Sequence, residues 1–93
     1  MPSTFKQDPQ AQLDYKVDWS AWLGVGETIT TSSWVLDPGI TQGTPAPASH
    51  DNTSATIWLS GGVAGTTYNV TNHIATSAGR INDRSISVHI VDL

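Results

Sequence analysis

The sequence predicts an all-β fold: a small antiparallel β-sandwich of about six or seven short strands over residues 13–93, with an extended N-terminal arm over residues 1–12. Three observations predict it. Charged residues make up only 13% of the 93 residues, about half the usual share, while ten serines and twelve threonines fill the polar positions. That balance suits half-buried strands better than helix surfaces, which carry Glu, Lys and Arg. Apolar side chains alternate with polar ones in several short runs, and no long stretch keeps a 3.6-residue period. Without crossover helices a parallel α/β sheet lacks its connections, and strands spaced roughly 8–12 residues apart are those of a sandwich.

The arm comes first. MPSTFKQDPQAQ holds two prolines and three glutamines, with Met1 and Phe5 as its only large apolar side chains, so it reads as an extended segment with too little apolar surface to fold on itself. Leu13 to Trp19 then alternates strictly, with Leu13, Tyr15, Val17 and Trp19 on one face and Asp14, Lys16 and Asp18 on the other. Ser20-Ala21-Trp22-Leu23 is closed by Gly24 and Gly26, which leaves room for one helical turn capped by Asp18 or Ser20. Glu27 to Leu36 is rich in β-branched residues, but its bulky side chains fall out of phase. A bulge near Thr31–Ser33 would return Ile29 and Trp34 to one side.

Asp37-Pro38-Gly39 is a turn, followed by a short edge strand around Ile40 and an exposed loop over 41–54, where Pro45 and Pro47 exclude a central strand. The last forty residues carry three strand patterns. Ala55 to Leu59 alternates, Gly61 to Gly65 turns, Thr66 to Ile74 alternates again, and after Ser77-Ala78-Gly79-Arg80 a final run places Ile86, Val88 and Ile90 on one face. The expected interior is Tyr15, Val17, Trp19, Ile57, Leu59, Tyr68, Val70, Ile74, Ile86, Val88 and Ile90. Tyr68 follows a glycine-bearing turn at the start of the penultimate strand, where immunoglobulin-like sandwiches place the tyrosine of a tyrosine corner, so its hydroxyl is expected to bond back to the backbone between Gly62 and Gly65.

A formal net charge of −4 with no basic cluster removes the electrostatic basis for binding nucleic acid or an anionic membrane. The absence of cysteine excludes a disulfide framework, Cys-ligated zinc and a thiol nucleophile. The opening residues lack the apolar core of a signal peptide, which makes cytoplasmic synthesis the simplest expectation.

Several blocks together resemble a known family. Asp14-Tyr15-Lys16-Val17-Asp18-Trp19-Ser20-Ala21-Trp22-Leu23, Gly26-Glu27-Thr28-Ile29, Ala55 to Gly62, Ala64 to Tyr68, Val70-Thr71-Asn72 and Ser77-Ala78-Gly79-Arg80 are similar to small virion proteins of tailed bacteriophages, the fiber–tail adaptor type. The match runs in blocks over about residues 8–92, with 37–54 least matched. The resemblance implies a non-enzymatic virion protein in multiple copies, made in the host cytoplasm, whose partners are other virion proteins of the tail, fiber or connector. The family brings no catalytic residues to transfer.

The residues themselves agree with a chain without catalytic, cofactor or metal sites. Asp8, Asp14, Asp18 and Asp37 lie on strand faces or in turns, and no nucleophile motif or phosphate-binding loop is present. His73 and His89 would face each other if the last two strands formed a hairpin around Arg80-Ile81, but two imidazoles without a carboxylate seldom make a metal site. The tryptophans matter more. Trp19 and Trp34 are expected between the sheets, while Ala55, Ile57 and Leu59 claim the inner face of their strand and turn Trp58 outward as an interface anchor. Phe5 is the side chain by which the arm would fill a pocket on a neighbour. The competing reading is a capsid decoration or a glycan-binding host-surface module, which would call for several exposed aromatic rings on one face.

Overall fold

The computed structural model describes residues 3–43 and 47–93 as eight strands in two facing sheets, with no helix among the described residues. The strands are β1 (Ser3–Gln7), β2 (Gln12–Asp18), β3 (Ile29–Leu36), β4 (Ile40–Gln42), β5 (Ser49–His50), β6 (Ser54–Gly61), β7 (Thr67–Thr76) and β8 (Ile81–Ile90). One sheet runs β1-β8-β7-β3; in the other, β6 lies between β2 on one side and β4 and β5 on the other. The expected all-β sandwich is present. It has two more short strands than the spacing suggested, one from the arm and one, β5, from the loop 41–54. Residues 44–46 of that loop, with Met1 and Pro2 of the arm, lie outside the described residues.

Period-two alternation builds the interior. All eleven residues expected inside are buried, joined by Ile29, Ile40 and Ala55. In β6 and β7 the pattern is nearly unbroken: Ala55, Ile57 and Leu59 face Tyr68, Val70, Asn72 and Ile74 across the core. Burial of this kind is worth about 1.5–3 kcal/mol per large aliphatic side chain. The bulge in β3 falls at Thr30, one residue before the expected place, where the register shifts between Ile29 and Thr31. It has the expected effect. Beyond it Trp34 and Leu36 share the inner side with Ile29 and pack against the core.

Two readings need correction. The segment read as an arm is extended, but it is not separate from the sandwich: Ser3–Gln7 lies parallel to β8, with Phe5 beside Val88 and Gln7 beside Ile90. Among the described residues this is the one parallel pair; the other pairings are antiparallel. Gln7 explains why the strand was hidden, since it takes an inward position that alternation expects to be apolar. It is wholly buried and fully used: Tyr15 Oη donates to its Oε1 (2.6 Å), and its Nε2 donates to the carbonyls of Leu59 (3.0 Å) and Ala11 (3.1 Å).

The second correction concerns the histidines. The β7–β8 turn centres near Ala78, which sets His73 opposite Asp83 and His89 opposite Thr67, at the two ends of the hairpin. Pairing His73 with His89 would need a turn three residues later.

At one end of the sandwich the segment after β2 makes a single turn rather than a helix. Trp22 and Leu23 N–H both donate to the Trp19 carbonyl, and Asp18 Oδ1 accepts from Ser20 N–H (2.9 Å).

Candidate interaction surfaces

Trp58 lies on the outer face of the β2-β6-β4 sheet because its neighbours Ile57 and Leu59 point into the core. Across the ladder it sits opposite Asp14, with Lys16 opposite Thr56 two residues along. It is partly buried, covered on one side by its own chain. Gly43 N–H donates to the Trp58 carbonyl (2.6 Å), and a Cβ at Gly43 would come within 2.9 Å of Trp58 Cβ and 2.8 Å of Gln12 Oε1. The chain can cross so closely there only because that side chain is missing. Trp58 stays partly exposed, on a face that also carries Asp14 and Lys16 of β2.

Phe5 is placed differently. Its register beside Val88 turns it inward, but β1 is an edge strand, so the ring stays 40% exposed and leans on Tyr15 with centroids 5.1 Å apart. Phe5 therefore lines the open seam between the sheets, whereas Trp58 stands on an outer face. The two do not converge on one patch.

Tyr68 is 5% exposed, and its hydroxyl accepts from Val63 N–H (3.0 Å), within the expected stretch of backbone. Its ring passes between two glycines with positive φ. A Cβ at Gly39 (φ 108°) would lie 2.9 Å from Tyr68 Cε1, and one at Gly62 (φ 93°) would lie 3.1 Å from Tyr68 Cε2 and 2.7 Å from Ile90 Cγ1. Only glycine suits both the left-handed backbone and the space.

The strongest electrostatics lie at the opposite end, in groups that the sequence reading did not bring together. Arg80 is ion-paired with Glu27, stacks on Trp22 with its guanidinium 4.0 Å from the ring centroid, and reaches the Trp22 carbonyl. Hydrogen bonds from Arg80, Thr76 and Gly24 N–H hold the Glu27 carboxyl down to about 2. Arg84 stacks on Trp19 at 4.4 Å and donates to the Asp18 carbonyl. These two arginines clamp the turn between β2 and β3. Asp51 does the same before β6: its carboxylate accepts from Thr53 N–H and from the N–H and hydroxyl of Ser54, and these bonds hold it down to about 2.

The remaining titratable pairs are ordinary surface contacts. His73 is bonded to Asp83, His89 Nδ1 to Thr67 Oγ1 (2.8 Å) and His50 Nδ1 to the Asp51 carbonyl (3.0 Å). Among the described residues no three His, Asp or Glu side chains gather as metal ligands.

A family model described as Podophage GP4 fiber-tail adaptor protein gp77 matches residues 7–89, the greater part of the chain. No curated protein matches it.

Proposed function

The chain belongs to this fiber–tail adaptor family, and from that premise we propose that it is a non-enzymatic structural component of a phage virion, present in several copies and joining tail to fiber. The observation that carries the reading is the extent of the match, which takes in all of β2 to β7 and almost all of β8. The partners are proteins. A net charge of −4, with two of the four basic side chains engaged at the β2–β3 turn, supports neither nucleic acid nor an anionic membrane as partner.

Trp58 and Phe5 are the contacts we propose. A half-open tryptophan flanked by charged groups can fill a partner's pocket while its rim stays polar, the usual anatomy of an energetic centre in an interface. Phe5 offers a second contact at the seam. Being on different surfaces, they could serve two different neighbours, as an adaptor requires. Tyr68 is proposed to act as a tyrosine corner that fixes the Gly61–Gly65 turn, and not as a contact.

The test complements a phage lacking the gene with wild-type protein, Trp58→Ala or Phe5→Ala and quantifies the protein in purified virions. Substitution is preferable to removing the segment, because Gln7 is buried. Each variant is expected to fold with a near-normal melting temperature and to show reduced occupancy. Normal occupancy for both would move the joint to the loops. Virions without the wild-type protein would overturn the adaptor role itself.

A further inference from the structure

The two sheets meet along two lateral seams. One is lined by Phe5 and Tyr15 and closed by Gln7. At the other, β5 is bonded to β6 of one sheet, while residues 48–52 lie along β3, the edge strand of the other. The approach begins where Ile29 N–H donates to the Asn52 carbonyl (2.9 Å). Beyond that bond no ladder pairs β5 with β3 among the described residues.

Strand parity decides which side chains meet in this seam. His50 is paired with Ala55, which is wholly buried, so His50 takes the inward side of its strand. On β3 the inward residues are Trp34, which packs against the core, and Ser32, which is bonded to the buried Asn72. Together with Ala48 and Ser49, these three line a cavity of about 30 Å³. That is room for one water-sized polar molecule.

The walls carry hydrogen-bonding capacity that the described residues do not use. The indole Nε1–H of Trp34 is buried and finds no acceptor among them, although the buried side chains of Gln7, Trp19, Asn72 and Thr76 are all bonded. Buried donors are normally answered. Ser32 Oγ accepts from Asn72 Nδ2 (2.9 Å) and still has its own proton to give. His50 Nδ1 lies 3.0 Å from the Asp51 carbonyl. A carbonyl only accepts, so Nδ1 carries the proton, and Nε2 of the neutral ring is an acceptor.

We propose that this cavity is a hydration site for one water, which accepts from Trp34 Nε1–H and Ser32 O–H and donates to His50 Nε2. Two bonds accepted and one given is the usual complement of an internal water. The chemistry of the walls selects it. An apolar guest would leave the indole donor unanswered, and an anion would lack a counter-charge, since β3, β5 and β6 carry no lysine or arginine. The water fastens β5 to β3 along the stretch where no ladder does.

This inference is independent of the adaptor role and is tested on the full chain alone. In isotope-labelled protein, NOE and ROE cross-peaks between water and the Trp34 indole proton should have opposite signs, the mark of a held water and not a passing one. A crystal structure should place a water within hydrogen-bond distance of Trp34 Nε1 and His50 Nε2. A titration gives a further readout. Protonation turns His50 Nε2 from acceptor to donor, so the indole proton should shift in step with the His50 ring between roughly pH 5 and 8. The surroundings leave that shift to His50: β3 and β6 carry no charged side chain, Asp51 is held down to about 2, and Lys16 lies on the outer face opposite Thr56. His50→Ala, at an exposed position, should abolish both the titration and the opposite-signed cross-peaks at a near-normal melting temperature. Ser32 is kept in that variant, so the loss also excludes relay through its hydroxyl. Cross-peaks of equal sign, an indole shift that stays flat while His50 titrates, cross-peaks that survive His50→Ala, or a crystal structure in which Trp34 Nε1 reaches a protein acceptor would each overturn the proposal.

Discussion

Asn72→Ala should be among the most damaging small changes to this molecule. Asn72 is wholly buried in the middle of β7 and joins three segments: its Oδ1 accepts from Trp19 Nε1–H (2.9 Å), and its Nδ2 donates to Ser32 Oγ (2.9 Å) and to the Ser33 carbonyl (3.1 Å). Truncation leaves the Trp19 donor, on a ring with no exposure, without any acceptor, at a cost of about 1–3 kcal/mol. Losing the amide's own bonds adds roughly 0.5–1.5 kcal/mol, since water can reach the partly exposed β3 groups. The expected total is about 2–4 kcal/mol, a large part of the roughly 5–15 kcal/mol that holds a domain together. Urea unfolding followed by tryptophan fluorescence should show the midpoint falling by about 1 M or more at an unchanged slope. In a Trp19→Phe background, where the donor is already gone, the same substitution should cost about 1 kcal/mol less. A loss below about 0.5 kcal/mol, or an equal loss in both backgrounds, would refute the argument that this hydrogen bond is what Asn72 contributes.

Three further outcomes follow from the geometry. Tyr68→Phe removes only the acceptor for Val63 N–H, which is part-buried, so it should cost about 0.5–1.5 kcal/mol in the same assay, and an unchanged midpoint would mean the bond contributes nothing. Gly62→Ala and Gly65→Ala both strain a positive φ by roughly 1–3 kcal/mol, but only the Gly62 variant drives a Cβ against Ile90; calorimetry should find it the less stable, and equal melting temperatures would deny the clash. Glu27 is held at about 2 against an ordinary 4.5, so the stability from its ionised form is complete above pH 4.5 and is lost as pH falls toward 2. Glu27→Gln should therefore flatten the acid limb of melting temperature against pH without removing the share due to Asp51, and superimposable limbs would exclude Glu27 as its source.

How much of this was legible in the sequence depended on whether a residue's role is set by its neighbours along the chain. Alternation located the interior of β2, β6, β7 and β8 because burial there follows the pleat. The phase error between Ile29 and Trp34 announced a bulge, displaced by one residue because Thr30 and Thr31 are chemically interchangeable there. Gln7 and Asn72 were passed over for one reason: each is a polar side chain at an inward position, admissible only because its partners, Tyr15 and Leu59 for one, Trp19 and Ser32 for the other, come from distant segments. The Glu27–Arg80 pair spans 53 positions and left no local trace. The placing of His73 and His89 failed on register alone, since three residues in the turn centre move every cross-strand partner. For the proposed contacts, strand parity indicates that Trp58 points outward. The cover supplied by Gly43 and Gln12 depends on a loop path that parity does not report.

The parallel pairing of β1 with β8 also bears on how the molecule is made. Ser3 is partnered with Ile86, so β1 can find its place only after β8, more than eighty residues further along, has been synthesised. Until then Phe5, Gln7 and the β8 edge stay uncovered. Closing contacts of such separation slows folding relative to the local β7–β8 hairpin, which can form early. A chain cut short before β8 cannot seat Gln7 beneath Tyr15 and Leu59, and so cannot present the finished seam at which Phe5 is exposed.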